Sequence, residues 1–321
     1  MKLIDLHCDT ANRIHRKNAI LAKNDFHISL DKVTKYDNYA QFTAFYIDSR
    51  LSDEEGYLKF YEMYGYFSAE LAENKERITK ISDGRELPAV WESGRAAAIF
   101  SIEDARILAG DISRLDTLYK KGARSLVLLW GGETIIGGSH NTDVGLTDFG
   151  RQVMLRCFEL GIIPDVSHAS ERSADEMIEI AHTCSKPVIA SHSNSYSVYP
   201  HSRNLRDRHF SAIRELSGLV GISLCRSHLA PGKGANVDDV LRHIEHYLSL
   251  GGEDTVALGC DFDGADLPEG IRDITDLDIL ADRLAKAGLA CLALTVVLVV
   301  TLVVGFVVNV TAALAAGGVS L

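Results

Sequence analysis

Several large classes of protein are excluded by what this chain lacks. Its six cysteines (Cys8, Cys157, Cys184, Cys225, Cys260, Cys291) form no CxxC pair. That argues against a disulfide framework and against a cysteine zinc knuckle. They read as small buried hydrophobes of a reducing compartment. No cluster of Lys and Arg breaks a net charge of -11, so no nucleic-acid partner is expected. The N-terminus, MKLIDLHCDT, shows neither the apolar stretch nor the small-residue cleavage site of a secretory signal. The expected location is therefore the cytoplasm. No Pro/Ser/Gly-rich linker interrupts residues 1–288, and no sequence-level repeat is visible.

Charge is also missing from one long stretch. Ala287 to Leu321 contains no charged residue, and Leu289 to Val308 is almost continuously apolar. About 20 such residues make a helix of roughly 30 Å, the hydrocarbon thickness of a bilayer. The chain thus divides into a body, 1–288, and an uncharged tail, 289–321. The tail reads in three ways: a membrane span, a segment packed on the body, or a sequence artefact. Association with a membrane is expected only through this tail.

What is present fits a globular enzyme. The 321 residues are 46% hydrophobic and 24% charged, which excludes wholesale disorder. Short apolar runs recur at Leu3–Leu6, Ala40–Ile47, Ala96–Ile102, Ser125–Trp130, Ile162–Val166, Pro187–Ala190, Leu219–Leu224 and Val256–Gly259. They are continuous rather than alternating, as strands buried on both faces should be. Amphipathic stretches lie between them. Ala174, Met177, Ile178 and Ala181 make one helical stripe. Val240, Leu241, Ile244 and Leu248 make another, with Asp238 placed to cap it and Gly251 to end it. The long charged stretch Ser52–Ile81 reads as helical. Eight strands alternating with helices predict an α/β fold, a (β/α)8 TIM-type barrel. An open doubly wound sheet is the alternative, but its Gly-rich first turn is absent.

The polar residues at the run ends carry the chemistry. The first run ends in His7-Cys8-Asp9, and residues two apart on a strand face the same way. The third ends in Glu103-Asp104, and the loop after the fourth holds His140. The fifth ends in Asp165-Val166-Ser167-His168, the sixth in Ser191-His192 and the eighth in Asp261-Phe262-Asp263. One histidine at a strand end is ordinarily structural. Four histidines and three acidic residues at the C-terminal ends of one barrel's strands point to a metal site. Imidazole and carboxylate without thiolate suit zinc or a related divalent ion. Three histidines plus two carboxylates exceed what one catalytic zinc needs, which favours two metals sharing a carboxylate. His243 and His246 read as a solvated helix face. His182 reads as a helix-end cation. His15, His27, His201, His209 and His228 have no strand-end placement. Asp104 and Asp263 read as supporting groups or loop caps, and Cys8 as packing.

The segments IDLHCDT, SIEDA, GGSHNTDVGLTDFGRQV, ELGIIPDVSHAS, KPVIASHSNS, HSRNLRD and LGGEDTVALGCDFDG together resemble the membrane (renal) dipeptidase family of binuclear zinc peptidases. They occur in family order over roughly residues 1–285. The resemblance implies hydrolysis of dipeptides by a metal-activated water. It implies His7 and Asp9 on one zinc, Glu103 bridging both, and His168 and His192 on the second. It implies His140 at the substrate carbonyl, Arg203 on the substrate carboxylate and Asp261 as the acid–base group. The expected cofactors are two divalent ions, zinc by preference, and the expected partner is a small dipeptide. A homodimer is also expected. The family's usual charged helices after the last strand give way here to the uncharged tail.

The residues leave three competing functions. Another binuclear amidohydrolase acting on a small amide or ester would often bridge its metals with a carbamylated lysine, but no lysine ends the fourth run. A metal-binding protein without turnover is disfavoured because every polar group needed for turnover is present. An anchoring role would rest on the tail alone.

Overall fold

The computed structural model describes residues 2–232 and 234–287. The tail 289–321, with its three readings and the boundary before it, lies outside the described residues. Among the described residues no helix is long and apolar enough to cross a membrane.

The strands are β1 (Lys2–Cys8), β2 (Asn38–Tyr46), β3 (Ile78–Ile81), β4 (Ala96–Glu103), β5 (Ala123–Val127), β6 (Ile163–Asp165), β7 (Val220–Ile222) and β8 (Val256–Leu258). Hydrogen-bonded neighbours run β6–β5–β4–β2–β1–β8–β7, every pair parallel. Residues 189 and 190 close the ring. Ile189 bridges to Asp165 of β6 and Ala190 to Val220 of β7, both in parallel. Closure excludes the open doubly wound sheet, and the expected barrel is the fold. All eight apolar runs supply its staves.

β3 is an addition that the apolar runs did not predict. It pairs with β4 at Ala96–Ile99, while β5 takes the same edge higher up, at Phe100–Glu103. The helical expectation for 52–81 holds for Asp53–Glu73 only. Ser52 caps that helix in a box with Glu55, whose carboxylate accepts from the Ser52 amide at 2.8 Å. The chain then turns into β3, a strand too short and too mixed in polarity to stand out.

Side chains from around the ring fill the lower barrel: Ile4 and Leu6 from β1, Ala40 and Phe42 from β2, Ala97 and Ile99 from β4, with Ile163, Ile189, Leu219 and Ala257. The helices pack a second, larger apolar shell outside, holding Phe45, Phe100, Ile102, Val153, Met177 and Phe210. The stripe of Ala174, Met177, Ile178 and Ala181 is buried as expected. Helix Val237–Ser249 also exists, but its cap is Asn236 in a box with Asp239, rather than Asp238.

That helix overturns one reading. His243 is fully buried rather than solvated. It sits on the helix's inner stripe with Val240, Ile244 and Tyr247. Its Nδ1 accepts from the Ser195 amide at 3.0 Å, and Nε2 lies 3.0 Å from the Leu229 carbonyl. The spacing Val240, His243, Tyr247 was the available signal. His246 is half-buried and pairs with Asp207 at 2.9 Å.

Candidate active site

Strand geometry aims the polar ends at one point. A bulge in β1 is decisive. Asp5 pairs with Gln41 and Cys8 with Thr43, so β1 spends three residues where β2 spends two. The extra residue switches the inward parity. Ile4 and Leu6 face the interior below the bulge, and His7 and Asp9 face it above. Cys8 turns outward into the helical shell, as expected of a packing residue. Strand β4 keeps its alternation, so Glu103 follows Ala97, Ile99 and Ser101 to the inner face.

Glu103 lies at the centre. One carboxylate oxygen, Oε2, is 3.3 Å from His7 Nε2. The other, Oε1, is 3.1 Å from His168 Nε2 and 3.7 Å from His192 Nε2. His7 Nε2 also lies 3.5 Å from Asp9 Oδ2 and 4.0 Å from Asp261 Oδ1. The expected ligand residues His7, Asp9, Glu103, His168 and His192 therefore converge. Asp261, expected only as a proton carrier, comes in beside His7 and Asp9.

The donors fit divalent cations. His7 Nε2 and Asp9 Oδ1 are buried with no hydrogen-bond partner. His168 Nε2 and His192 Nε2 lie 2.8 Å apart, both turned toward Glu103. Two sets of donor atoms cluster closely enough to share an ion: His7, Glu103 and His192, and His7, Asp9 and Asp261. His168 Nδ1 is 3.1 Å from the Trp130 carbonyl, and His192 Nδ1 is 2.8 Å from Ser191 Oγ. Such contacts at the far nitrogen orient a ligating imidazole.

Electrostatics agree with that fit at His168 and His192, whereas at His7 burial is outweighed by the carboxylates of Glu103 and Asp9, which raise the ring well above the ordinary histidine range where no cation competes for them. Burial, followed by Arg203, pushes the His168 imidazole down to about 4. Burial, followed by His7, holds His192 well below the ordinary histidine range. Both imidazoles are therefore neutral, as ligation requires. Burial raises Asp9 and Asp261, and neighbouring carboxylates raise them further. Burial works against ionised Glu103 too, but His7 and His168 overcome it and hold it low.

The cleft above this cluster has a volume of about 1260 Å³. His140 and Arg203 line it together with Glu103 and Asp261. His140 Nδ1 is 2.9 Å from Ser202 Oγ. Burial and then Arg203 push His140 down to about 3, so it faces the cleft as a neutral ring. Arg203 is 6% exposed, and its Nη2 has no hydrogen-bond partner. A guanidinium so buried and incompletely paired has room in its hydrogen bonding for an anion.

Other residues of the site carry no role that the sequence assigned. Tyr46 and Trp130 line the cleft with rings 4.9 Å apart. His201 and His228 line it beside Arg203, with rings 4.7 Å apart, and His15 lies at its wall. Asp5 and Asp165 are buried beneath the cluster. Asp5 Oδ1 accepts from the amides of Cys260 and His7, and Asp165 Oδ1 from those of Ser167 and Ser191. Burial pushes Asp5 up to about 6. An acidic residue inside an apolar run was the signal, because burial there needs such partners. Asp263 is a support, as expected: it accepts from Thr10 Oγ1 at 2.6 Å and from the His27 amide at 2.7 Å. His209 pairs with Asp175 at 2.8 Å, and His182 lies exposed in the last turn of its helix, Glu171–Cys184.

With this geometry in place, comparison with known proteins decides the family. The profile of the membrane dipeptidase family, peptidase family M19, matches residues 1–299. The chain belongs to the membrane dipeptidase family. A Klebsiella pneumoniae protein known only as an uncharacterized protein in the pqqA 5′ region is 30% identical over 230 residues, 68% of this chain and 84% of that protein. Among solved structures, the dipeptidase AC, an M19 metallopeptidase, is similar at 27% identity and a TM-score of 0.86, covering 94% of this chain and 98% of its own. A Rhodobacter sphaeroides metallopeptidase, solved with a phosphinate mimic of the dipeptide L-Ala-D-Ala, is 26% identical with a TM-score of 0.86 and the same coverage. This M19 chain is a metal-dependent hydrolase of dipeptides on a TIM-like barrel.

Proposed function

We propose that the dipeptidase works with two zinc ions, one on His7 and Asp9 and the other on His168 and His192, with Glu103 shared. The observation that carries this reading is the division of Glu103's two oxygens between His7 on one side and His168 and His192 on the other. The dipeptide mimic bound by the Rhodobacter sphaeroides relative supports a dipeptide as the substrate.

Ions held there supply Lewis acidity toward the scissile carbonyl and an activated water. The remaining roles belong to the chain. Arg203 pairs with the substrate's free carboxylate through its guanidinium fork, and this favours dipeptides over long chains. His140, neutral and steadied by Ser202, donates a hydrogen bond to the carbonyl oxygen as negative charge develops on it. Asp261, whose carboxyl group burial and Asp9 make more basic than usual, accepts a proton from the water and passes it to the leaving amine.

The proposal extends to a cytoplasmic homodimer. The cytoplasmic placement is supported by Cys8, Cys157, Cys184, Cys225 and Cys260, all unpaired. Light scattering and cell fractionation of the full chain, compared with a chain ending at Gly288, test the dimer, the location and any membrane role of the tail.

The central test is elemental analysis of purified protein, combined with hydrolysis of L,L and L,D dipeptides before and after chelation. The expected outcome is about two zinc ions per chain, loss of hydrolysis on chelation, and recovery on adding zinc. One ion per fully active chain would overturn the binuclear reading.

A further inference from the structure

Glu103 is the last residue of β4, and the chain turns sharply after it. Asp104 has φ +97° and ψ +104°. That backbone conformation suits glycine, and a residue with a β-carbon holds it only where its surroundings over-determine it. Asp104 is nevertheless fully buried. The turn lets two consecutive amides, Asp104 and Ala105, donate to the Val127 and Leu128 carbonyls on the same side of the chain. An extended strand would point them to opposite sides.

The group that holds this corner is Arg106. Asp104 Oδ1 accepts from the Arg106 amide at 3.1 Å and Oδ2 from Arg106 Nε at 3.1 Å. The guanidinium is itself buried, and it reaches across to the loop after β2. Nη1 donates to the Leu51 carbonyl at 2.7 Å and to Asp53 Oδ1 at 3.2 Å, and Nη2 to the Asp48 carbonyl at 2.5 Å. Asp48 and Leu51 line the cleft. On the other side of the corner, the Glu103 carbonyl accepts from the Ile47 amide at 3.1 Å. One arginine therefore ties the strained turn beside Glu103 to the cleft wall.

We propose that Asp104 and Arg106 are a positioning pair for Glu103: Arg106 clamps an unfavourable turn at Asp104, and that turn aims the Glu103 carboxylate between His7 and His168. The pair touches neither substrate nor metal. Without the clamp the turn relaxes, and Glu103 no longer divides its oxygens between the two histidine groups. The inference rests on Glu103 as a shared ligand.

The test uses full-length Asp104→Gly, Asp104→Ala and Asp104→Asn, with Glu103→Gln as the reference. Zinc affinity is measured by competition with a chromogenic chelator, well below the unfolding temperature. Thermal midpoints are measured on the metal-free chains. Gly and Ala both remove the clamp, so zinc affinity should fall about tenfold to a hundredfold in each, the range typical of groups that orient ligands. Asn keeps one acceptor for Arg106 and should lose less. Ala also keeps the β-carbon in the unfavourable turn, so metal-free Asp104→Ala should unfold at a lower temperature than Asp104→Gly. That order is the reverse of the usual one, in which glycine is the less stable.

Wild-type zinc affinity in Asp104→Gly would overturn the proposal, even if stability fell. A higher midpoint for Ala than for Gly would overturn the strained turn on which it depends. If Asp104→Ala fails to fold, zinc affinity in the order wild type, Asn, Gly carries the test. Unchanged zinc affinity in Glu103→Gln would sink the shared-ligand reading itself. Loss there with none in Asp104→Gly would sink the positioning pair alone.

Discussion

The two ends of the barrel interior are built on opposite rules. The lower end is filled with Ile4, Leu6, Phe42, Ile99 and Ile189, side chains that ask only for neighbours. The upper end holds His7, Asp9, Glu103, His168, His192 and Asp261, equally buried or nearly so, and His7 and Asp9 have atoms that no protein group satisfies. The upper end also holds strained backbone: His168, Asp261 and Asp263, besides Asp104, take positive φ there without being glycine, whereas Asn18 and Ser185 do so as ordinary helix C-caps. The lower end supplies stability through apolar burial. That surplus tolerates crowded carboxylates and unfavourable turns where ions and substrate must enter.

The sharpest way to break this contrast is Glu103→Gln. The amide keeps the shape but loses the charge that serves both histidine groups. Dipeptide hydrolysis should fall by more than the ~100-fold seen when only an orienting group is lost, and metal content should drop at both positions. Full activity with two ions would mean that the upper end is not organised around Glu103.

Arg203→Ala should come next. KM for dipeptides should rise about tenfold to a hundredfold, as expected for a lost hydrogen-bonded charge pair of about 1.5–3 kcal/mol. Substrates with an amidated C-terminus should be little affected. Equal losses for free and amidated substrates in steady-state assays would rule out pairing of Arg203 with the substrate carboxylate.

Phe42→Ala probes the other end. Deleting a fully enclosed ring should cost about 3–5 kcal/mol in chemical denaturation, yet zinc affinity of the folded protein should stay within a few-fold of wild type. A large loss of affinity would show that floor and site are not separable.

The smallest effect concerns a buried polar residue that does not line the cleft. His243 is fully satisfied as a neutral ring, and burial pushes it down to about 4. Between about 6.5 and 4 the unfolded chain takes up a proton that the folded one refuses, so stability falls as pH drops through that window. His243→Gln should flatten that part of the stability–pH curve. An unchanged slope in urea titrations at pH 4.5 and 7 would refute the assignment.

Much of the fold was legible because burial on both faces leaves a mark in the sequence. All eight apolar runs are staves of the ring, and the histidines and acids at their ends share one site. The misreadings have physical causes. β3 is four residues long, with two residues buried and two half-buried. His243 reads as solvated from the sequence because its charged neighbours Asp238, Asp239 and Glu245 mask its place on the apolar stripe.

By itself, the sequence determined the alternation of strand and helix, the chemistry of the donors and the family. These depend on residue type and order along the chain. The tertiary structure alone decided which donors meet and how. The bulge between Asp5 and Cys8 turns His7 inward, and no periodicity in IDLHCDT announces it, since a bulge is set by pairing with β2. Closure at 189–190 brings His192 across to His168 and His7. Burial depth, a property of the whole fold, makes His168 and His192 neutral and leaves Arg203 without a full set of partners. The turn at Asp104 likewise exists only because Arg106 finds Asp48, Leu51 and Asp53, some fifty residues away in sequence. Contacts at that separation are paid for by the packing of the entire barrel, so local sequence does not reveal them.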